Sequence, residues 1–279
     1  MFVLLNGQFV PETQAVVPVN DRGFMYGDGL FETLRVCGGR PFRLAQHLER
    51  LRHGAASLKI KCPFTPAKLR NFAGQLIEKN RMPDAILRVV LTRGPGERGY
   101  TPGASGQPTL VMSLHPAPPL DLESPAGCRL ITSSWRIPAG DPLGRLKTIN
   151  KLVQVMARME ALEKGADEAL LLNTDGAVVE AAGANLFWVT RNRVCTVPVS
   201  EGALPGITRA VVLELSRTLG LATDERVIKP RALRNAEGIF LTHSVSGIVP
   251  VTALDGKPIA PSPLAGRLRR AYGELLTRP

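Results

Sequence analysis

The sequence predicts an α+β fold in two domains, a small hairpin-and-helix domain over 1–119 and a larger mixed domain over 120–279. Three observations carry this. Short apolar runs joined by glycine-containing turns occur in both parts. Helix-periodic stretches lie between them. A proline-rich run, His115-Pro116-Ala117-Pro118-Pro119-Leu120-Asp121, separates them. Proline cannot donate to a sheet ladder, so this run reads as an interdomain linker. A chain of 279 residues is long enough to bury two sizeable cores.

The elements follow in order. Apolar 2–5, the turn Asn6-Gly7 and the return Phe9-Val10 make a hairpin. A second hairpin spans 30–43 around Gly38-Gly39. Over 44–58, Leu44, Leu48, Leu51, Ala55 and Leu58 form one stripe of a helix. Thr65-Pro66 is an N-cap followed by a first-turn proline, which starts a helix to about 79. Strands follow at 85–92 and 109–114. Beyond the linker, a strand is expected at 128–132 and a helix at 148–164. That helix carries Ile149, Leu152, Met156, Met159 and Leu162, with Gly165 as its C′ residue. A hairpin over 168–181 turns at Asp175-Gly176. Strands at 185–189 and 194–197, a helix over 208–219, a strand at 240–243 and a helix over 264–276 complete the chain.

Composition excludes several function classes. No stretch approaches the length of apolar residues that spans a bilayer, so no membrane partner is expected. The start, Met1-Phe2-Val3-Leu4-Leu5-Asn6-Gly7, has no basic n-region and turns too soon for a signal peptide, which makes the cytoplasm the expected location. Cys37, Cys62, Cys128 and Cys195 are scattered, as are His47, His53, His115 and His243. Neither set has metal-ligand spacing, so no metal is expected. The net charge is +11, yet aromatics are only 5% and no run of five basic residues occurs. Nucleic acid is therefore not the expected partner. Arginines spread along the chain fit a solvated surface, part of which can attract phosphate and carboxylate groups.

Gly94-Pro95-Gly96-Glu97-Arg98-Gly99 matches the dinucleotide fingerprint G-x-G-x-x-G. The fingerprint requires a helix to follow. Tyr100-Thr101-Pro102-Gly103 cannot open one, so the segment reads as a flexible loop with Arg98 at its tip as an anion contact. In Leu204-Pro205-Gly206-Ile207-Thr208-Arg209, Gly206 permits close backbone approach, and the open N–H groups of a helix start bind phosphate. An ordinary loop-to-helix junction reads the same way. Arg50 falls off the apolar stripe of its helix and reads as solvated, unless the stripe packs so that its fork reaches an anion. Lys147, in Gly144-Arg145-Leu146-Lys147-Thr148-Ile149-Asn150, supplies an amine, and Glu180 a carboxylate further on. An amine can form a Schiff base and a carboxylate can hold a protonated ring nitrogen, a pair suited to pyridoxal phosphate. Spacing alone does not single Lys147 out from the other lysines.

Together these segments resemble the fold-type IV pyridoxal-phosphate enzymes, the class IV aminotransferases. The resemblance runs from Asp21-Arg22-Gly23-Phe24-Met25-Tyr26-Gly27-Asp28-Gly29-Leu30-Phe31-Glu32 to Ser246-Gly247-Ile248-Val249-Pro250-Val251. It implies a β-barrel-like larger domain and a cofactor, pyridoxal 5'-phosphate, between the domains. It implies that Lys147 is the Schiff-base lysine and acid/base, and that Glu180 pairs with the pyridine nitrogen. Arg50 would bind the phosphate, helped by Gly206, Ile207 and Thr208 and by the segment holding Ser244 and Val245. Asn185 would support the cofactor site from behind. Tyr26, Phe31, Arg35, Arg98 and Tyr100 would line the substrate side. Lys147 is then expected to have a lowered pKa, because attack on an aldehyde needs the neutral amine. A homodimer is also implied.

Two reactions stay open. The first is amino transfer between an amino acid and a 2-keto acid, with Arg98 and Arg35 holding the carboxylate. The second is 4-amino-4-deoxychorismate lyase chemistry, giving 4-aminobenzoate and pyruvate. The loop from Arg93 to Tyr100 and the run Lys147 to Val155 resemble the lyases. Lys151 and Val153 depart from their pattern of arginine and glutamate. Phe31 and Arg98-x-Tyr100 depart from the tyrosine and Arg-x-His of D-amino-acid aminotransferases. The incomplete lyase signature favours amino transfer.

Overall fold

The structure is a computed structural model that describes residues 1–102, 106–122 and 125–277. By its contacts the chain divides into two units, Met1–Pro118 with Leu146–Asn150, and Pro119–Arg145 with Lys151–Pro279.

The first unit contains β1 (Phe2–Leu5), β2 (Gln8–Pro11), the short α1 (Arg22–Tyr26), β3 (Gly29–Cys37), β4 (Arg40–Pro41), α2 (Leu44–Ser57), α3 (Pro66–Asn80), β5 (Ala85–Thr92) and β6 (Thr109–Pro116). Its strands form one antiparallel sheet in the order β2-β1-β6-β5-β3-β4. Asn6 and Gly7 both have positive φ, 51° and 88°, the geometry that a two-residue hairpin turn demands. On α3, Thr65 caps the first turn by accepting from the Lys68 N–H, and Pro66 stands at the first helical position. Leu30, Leu34 and Val36 of β3 bury against Leu48, Leu51 and Ala55 of α2, with Phe72 and Leu76 of α3 in the same core. Strand β6 enters the proline-rich run as far as Pro116, which sits opposite Ala85 at the end of the ladder. A proline is tolerated there because only a terminal rung is affected.

The second unit holds β7 (Cys128–Ile137), α4 (Leu152–Glu163), β8 (Glu168–Asn173), β9 (Val178–Ala181), β10 (Asn185–Thr190), β11 (Arg193–Thr196), α5 (Ile207–Thr218), β12 (Thr223–Glu225), α6 (Pro230–Leu233), β13 (Gly238–His243), β14 (Gly247–Leu254), β15 (Lys257–Pro258) and α7 (Pro263–Thr277). The sheet runs β12-β11-β10-β13-β14-β7-β8-β9, with β15 attached to β14. It is mixed: β7 pairs parallel with both β14 and β8, and β11 with β12. The sheet curls, bringing β9 into contact with β10. Its core contains Leu170, Leu171, Val178, Leu186, Trp188, Ile239 and Leu241.

Two helix expectations are corrected. The helix expected from residue 148 begins at Leu152. Residues 147–149 are instead extended along the start of β3: the Phe31 N–H donates to the Lys147 carbonyl at 2.9 Å, and the Ile149 N–H to the Gly29 carbonyl at 3.0 Å. An open strand edge supplied partners that helix propensity could not match. Leu146–Asn150 thereby joins the first unit, although the linker reading carries it into 120–279. The second correction concerns which face of α4 is inward. Ala157 and Ala161 are buried, whereas Leu152, Val155, Met159 and Leu162 are 67%, 51%, 47% and 63% exposed. Strands β14, β12 and β15 and helix α6 were not anticipated. The β14 run Gly247–Leu254 contains Pro250, a residue that argues against a strand in sequence.

Candidate active site

In the first unit the strand-like segment at 147–149 sets the backbone of Lys147 against β3. The amine follows from that backbone placement: its Nζ lies 4.5 Å from the centroid of the Phe31 ring. The same ring takes the Arg88 guanidinium at 4.4 Å. Phe31, Thr33 and Arg88 occupy the sheet face opposite α2, because β3 alternates and pairs Thr33 with Arg88 of β5. Burial lowers the pKa of Arg88. Phe31, predicted on the substrate side, is thus an aromatic face shared by the Lys147 amine and the Arg88 guanidinium.

On the α2 side, β3 places a carboxylate at a core position. Glu32 is 1% exposed. A buried carboxylate needs partners, and α2 supplies them one turn apart. Arg50 forks onto Glu32, with Nε to Oε1 at 2.8 Å and Nη2 to Oε2 at 2.7 Å. His47 Nδ1 lies 2.6 Å from Oε2. Burial raises the Glu32 pKa, but hydrogen bonds and charge from Arg50 and His47 outweigh it and hold the carboxyl below its ordinary value. Burial is likewise the largest cause lowering the His47 pKa, with the charges of Arg50 and Lys147 acting in the same direction against the pull of Glu32. A neutral His47 donates its Nδ1–H to Glu32. Arg50 is therefore not the solvated arginine its place off the stripe suggests: its side chain is only 10% exposed.

The loop over 94–100 is held by α1 and its cap. Asp21 accepts from the Gly23 N–H at 2.8 Å and from the hydroxyls of Thr92 and Thr109 at 2.9 and 2.6 Å. Tyr26 accepts from the Gly99 N–H at 2.8 Å and meets the Tyr100 ring edge-on at 5.8 Å. Arg98 and Tyr100 are exposed at the tip. Arg35 is buried and donates to the Pro118 carbonyl at 2.7 Å.

In the second unit Asn185 is the hub. It stands at the start of β10, opposite Thr242 of β13. Its Nδ2 donates to Glu180 Oε2 at 3.0 Å and to the Leu204 carbonyl at 2.9 Å. The Leu204 N–H donates to the same Glu180 oxygen at 3.0 Å. A Cβ on Gly206 would lie 1.9 Å from Asn185 Oδ1, so glycine is required where the chain passes into α5. Gly206 is the N-cap of α5 with no side-chain cap, which leaves the helix start to present its backbone donors. Thr208 is buried in that first turn. Ser244 and Val245 follow β13, two and three residues beyond Thr242. The Thr242 hydroxyl is buried and has no hydrogen-bond partner among the described residues. An anchored carboxylate, an uncapped helix start, a glycine against Asn185 and an unpartnered hydroxyl make a donor set that fits a phosphorylated, ring-nitrogen cofactor.

The structure therefore gathers Glu180, Asn185, Gly206, Ile207 and Thr208 in one unit, with Ser244 and Val245 close to the same strand end. It gathers Lys147 and Phe31 in the other, and pairs Tyr26 with the loop of Arg98 and Tyr100. Sequence reasoning passed over Glu32, His47, Arg88 and Arg22. The signal for Glu32 was present: a glutamate stands in phase with Leu30, Leu34 and Val36 on the inward face of a strand.

Known proteins share this architecture and these segments. The family profile described as "Amino-transferase class IV" matches residues 29–254. A Methanocaldococcus jannaschii protein assigned to the branched-chain-amino-acid aminotransferases is 39% identical, over 93% of this chain and 90% of its own length. A D-alanine aminotransferase from Bacillus licheniformis is 33% identical over 97% of this chain and 95% of its own. An aminodeoxychorismate lyase from Bacillus subtilis is 28% identical over 91% of this chain and 86% of its own. Among solved structures, a T.th. branched-chain amino acid aminotransferase with pyridoxamine 5'-phosphate superimposes with a TM-score of 0.93 at 32% identity, covering 100% of this chain and 95% of that one. The chain belongs to the class IV aminotransferases.

Proposed function

We propose that this chain is a pyridoxal-phosphate-dependent aminotransferase, moving an amino group between an amino acid and a 2-keto acid. The observation that carries the proposal is Glu180, a carboxylate fixed by Asn185 and the Leu204 N–H beside the uncapped start of α5, in a chain of this family. When bound, pyridoxal phosphate supplies a carbonyl carbon and a ring that accepts electrons. Lys147 is the amine that would hold it, and its Nζ then carries a proton between the reacting carbons. Glu180 would pair with the ring nitrogen and keep a proton there. Ile207, Thr208, the Ser244-Val245 segment and Arg50 would hold the phosphate, with Gly206 giving the close approach. Arg50 brings a guanidinium already oriented by Glu32, which lowers the cost of holding it in place. Tyr26, Phe31, Arg35, Arg98 and Tyr100 would shape the substrate side.

We place the enzyme in the cytoplasm, working as a homodimer. No helix of the described residues is long and apolar enough to cross a membrane. Of the exposed stripe Leu152, Val155, Met159 and Leu162, the last three border a groove of about 320 Å³ with Gln154, Arg158 and Gly183, an apolar face of the kind a second copy covers.

The test is incubation with D- and L-amino acids plus 2-oxoglutarate or pyruvate, together with borohydride fixation of the cofactor. Amino transfer and a labelled peptide carrying Lys147 are expected. The kinship with the Bacillus subtilis lyase favours one second reading. Formation of 4-aminobenzoate from aminodeoxychorismate, with no half-reaction from any amino acid, would replace the first reading with it.

A further inference from the structure

Arg22 is 4% exposed, yet it makes few contacts with side chains. Its Nε donates to Asp28 Oδ2 at 3.1 Å, but Asp28 also takes the fork of Arg93, at 2.6 and 3.0 Å. One carboxylate thus serves two guanidiniums. The remaining donors of Arg22 go to the backbone of the 94–100 loop: Nη1 to the Gly99 carbonyl at 2.9 Å and to that of Glu97 at 3.4 Å, and Nη2 to that of Tyr100 at 3.3 Å. The guanidinium lies 4.8 Å from the centroid of Tyr26, whose hydroxyl accepts from the Gly99 N–H at 2.8 Å. The base of the loop is tied as well: the Arg22 N–H donates to the Gly94 carbonyl at 2.9 Å, and the Gly96 N–H to Asn20 at 3.1 Å. A Cβ on Gly96 would lie 3.1 Å from Arg22 Cδ, so the loop lies against the arginine stem.

The coupling is reciprocal. If the loop leaves, a buried guanidinium loses acceptors, a costly state for a charged group. If Arg22 is removed, three exposed residues lose the contacts that order them. We infer that Arg22 is a positioning residue: by gripping the carbonyls of residues 97, 99 and 100 it fixes how Arg98 and Tyr100 are presented, and so sets how tightly a carboxylate-bearing substrate is held. The inference rests on the reading of Arg98 and Tyr100 as substrate-side residues. Arg93, anchored on the Leu58 and Lys59 carbonyls at 2.8 and 3.1 Å, ties Asp28 to the end of α2 and so braces the grip from behind.

The experiment compares the holoenzyme with Arg22→Gln and Arg22→Lys. Two readouts are taken: the rate of trypsin cleavage after Arg98, and KM and kcat with whichever reaction the enzyme runs. In R22Q the cut after Arg98 is expected to accelerate, while KM rises about tenfold and kcat changes less, the pattern of lost binding. R22K keeps the charge but not the fork and falls between. In an Arg98→Gln background the KM effect of R22Q should largely vanish, because Arg22 acts through the loop. Wild-type cleavage in R22Q, an unchanged KM despite faster cleavage, or an undiminished KM effect in the R98Q background would each overturn the inference. Should R22Q fail to fold, Tyr26→Phe removes the hydroxyl that accepts from the Gly99 N–H. Because Tyr26 is itself placed on the substrate side, the deciding readout is then the cut after Arg98, which must accelerate in smaller measure, and wild-type cleavage would overturn the inference. A protein that runs neither reaction refutes the proposed function, while the cleavage readout still reports on the grip.

Discussion

Lys147 and Glu32 show how little a residue's type says without its surroundings. Lys147 is one lysine among several in sequence; its pairing along β3 and its place over Phe31 set it apart. Lys147→Ala is expected to lower kcat on the order of a thousandfold, the scale of a lost acid/base group, with the fold intact by circular dichroism. Glu32 sits in phase with an apolar strand face and joins two α2 side chains in one ionic cluster. Glu32→Gln leaves the Arg50 charge short of its counter-ion in a buried place. Breaking such a pair costs about 3–5 kcal/mol, so a large drop in the urea midpoint is expected. Glu32→Asp, which keeps the charge, should recover part of it.

At the level of elements, the junction into α5 depends on one missing Cβ. Gly206→Ala would drive a methyl into Asn185 Oδ1. Asn185 then has to move, and with it the hydrogen bonds that aim Glu180. Overpacking of this kind costs about 1–3 kcal/mol. A fall in kcat larger than the loss of thermal stability accounts for is expected, measured on the same preparation. Helix α4 makes a different prediction. Its inward side is alanine and its outward side is leucine and methionine. Leu162→Glu should shift the protein toward monomer in sedimentation, with little change in the monomer's own stability. An unshifted oligomer would remove this face from the interface.

For the molecule as a whole, two histidines set the response to acid. Burial, with the charge of Arg158, pulls the His243 pKa down to about 4. His47 is lowered as well, chiefly by burial. An unfolded histidine takes up its proton near 6.5. Between that value and the folded one the unfolded chain binds more protons, so folding stability falls as pH falls. For His243 the contribution is whole above about 6.5 and is lost by about 4. The urea midpoint should therefore drop from pH 7 to pH 5, and His243→Gln should flatten that slope. Below this window the depressed carboxylates of Asp28 and Glu32 add the same sign, because they too must take up protons on unfolding.

Sequence alone determined the elements whose signals are local: the Asn6-Gly7 hairpin, the Thr65-Pro66 helix start, and the phase of α2. It also placed Lys147, Glu180 and Gly206 in one family pattern, since each stands in a recognisable short segment. Only the tertiary structure decided what depends on distant partners. Residues 147–149 are extended rather than helical because the edge of β3 offered them hydrogen bonds. The apolar stripe of α4 faces outward because its alanines let the helix sit close to the sheet. Strand β14 exists despite Pro250 because β13 and β7 hold it on either side. Arg22, at the start of a five-residue helix, became the holder of a loop more than 70 positions away. Such contacts are set by burial and by the demand that every buried donor find an acceptor, and neither is written in the spacing of the residues.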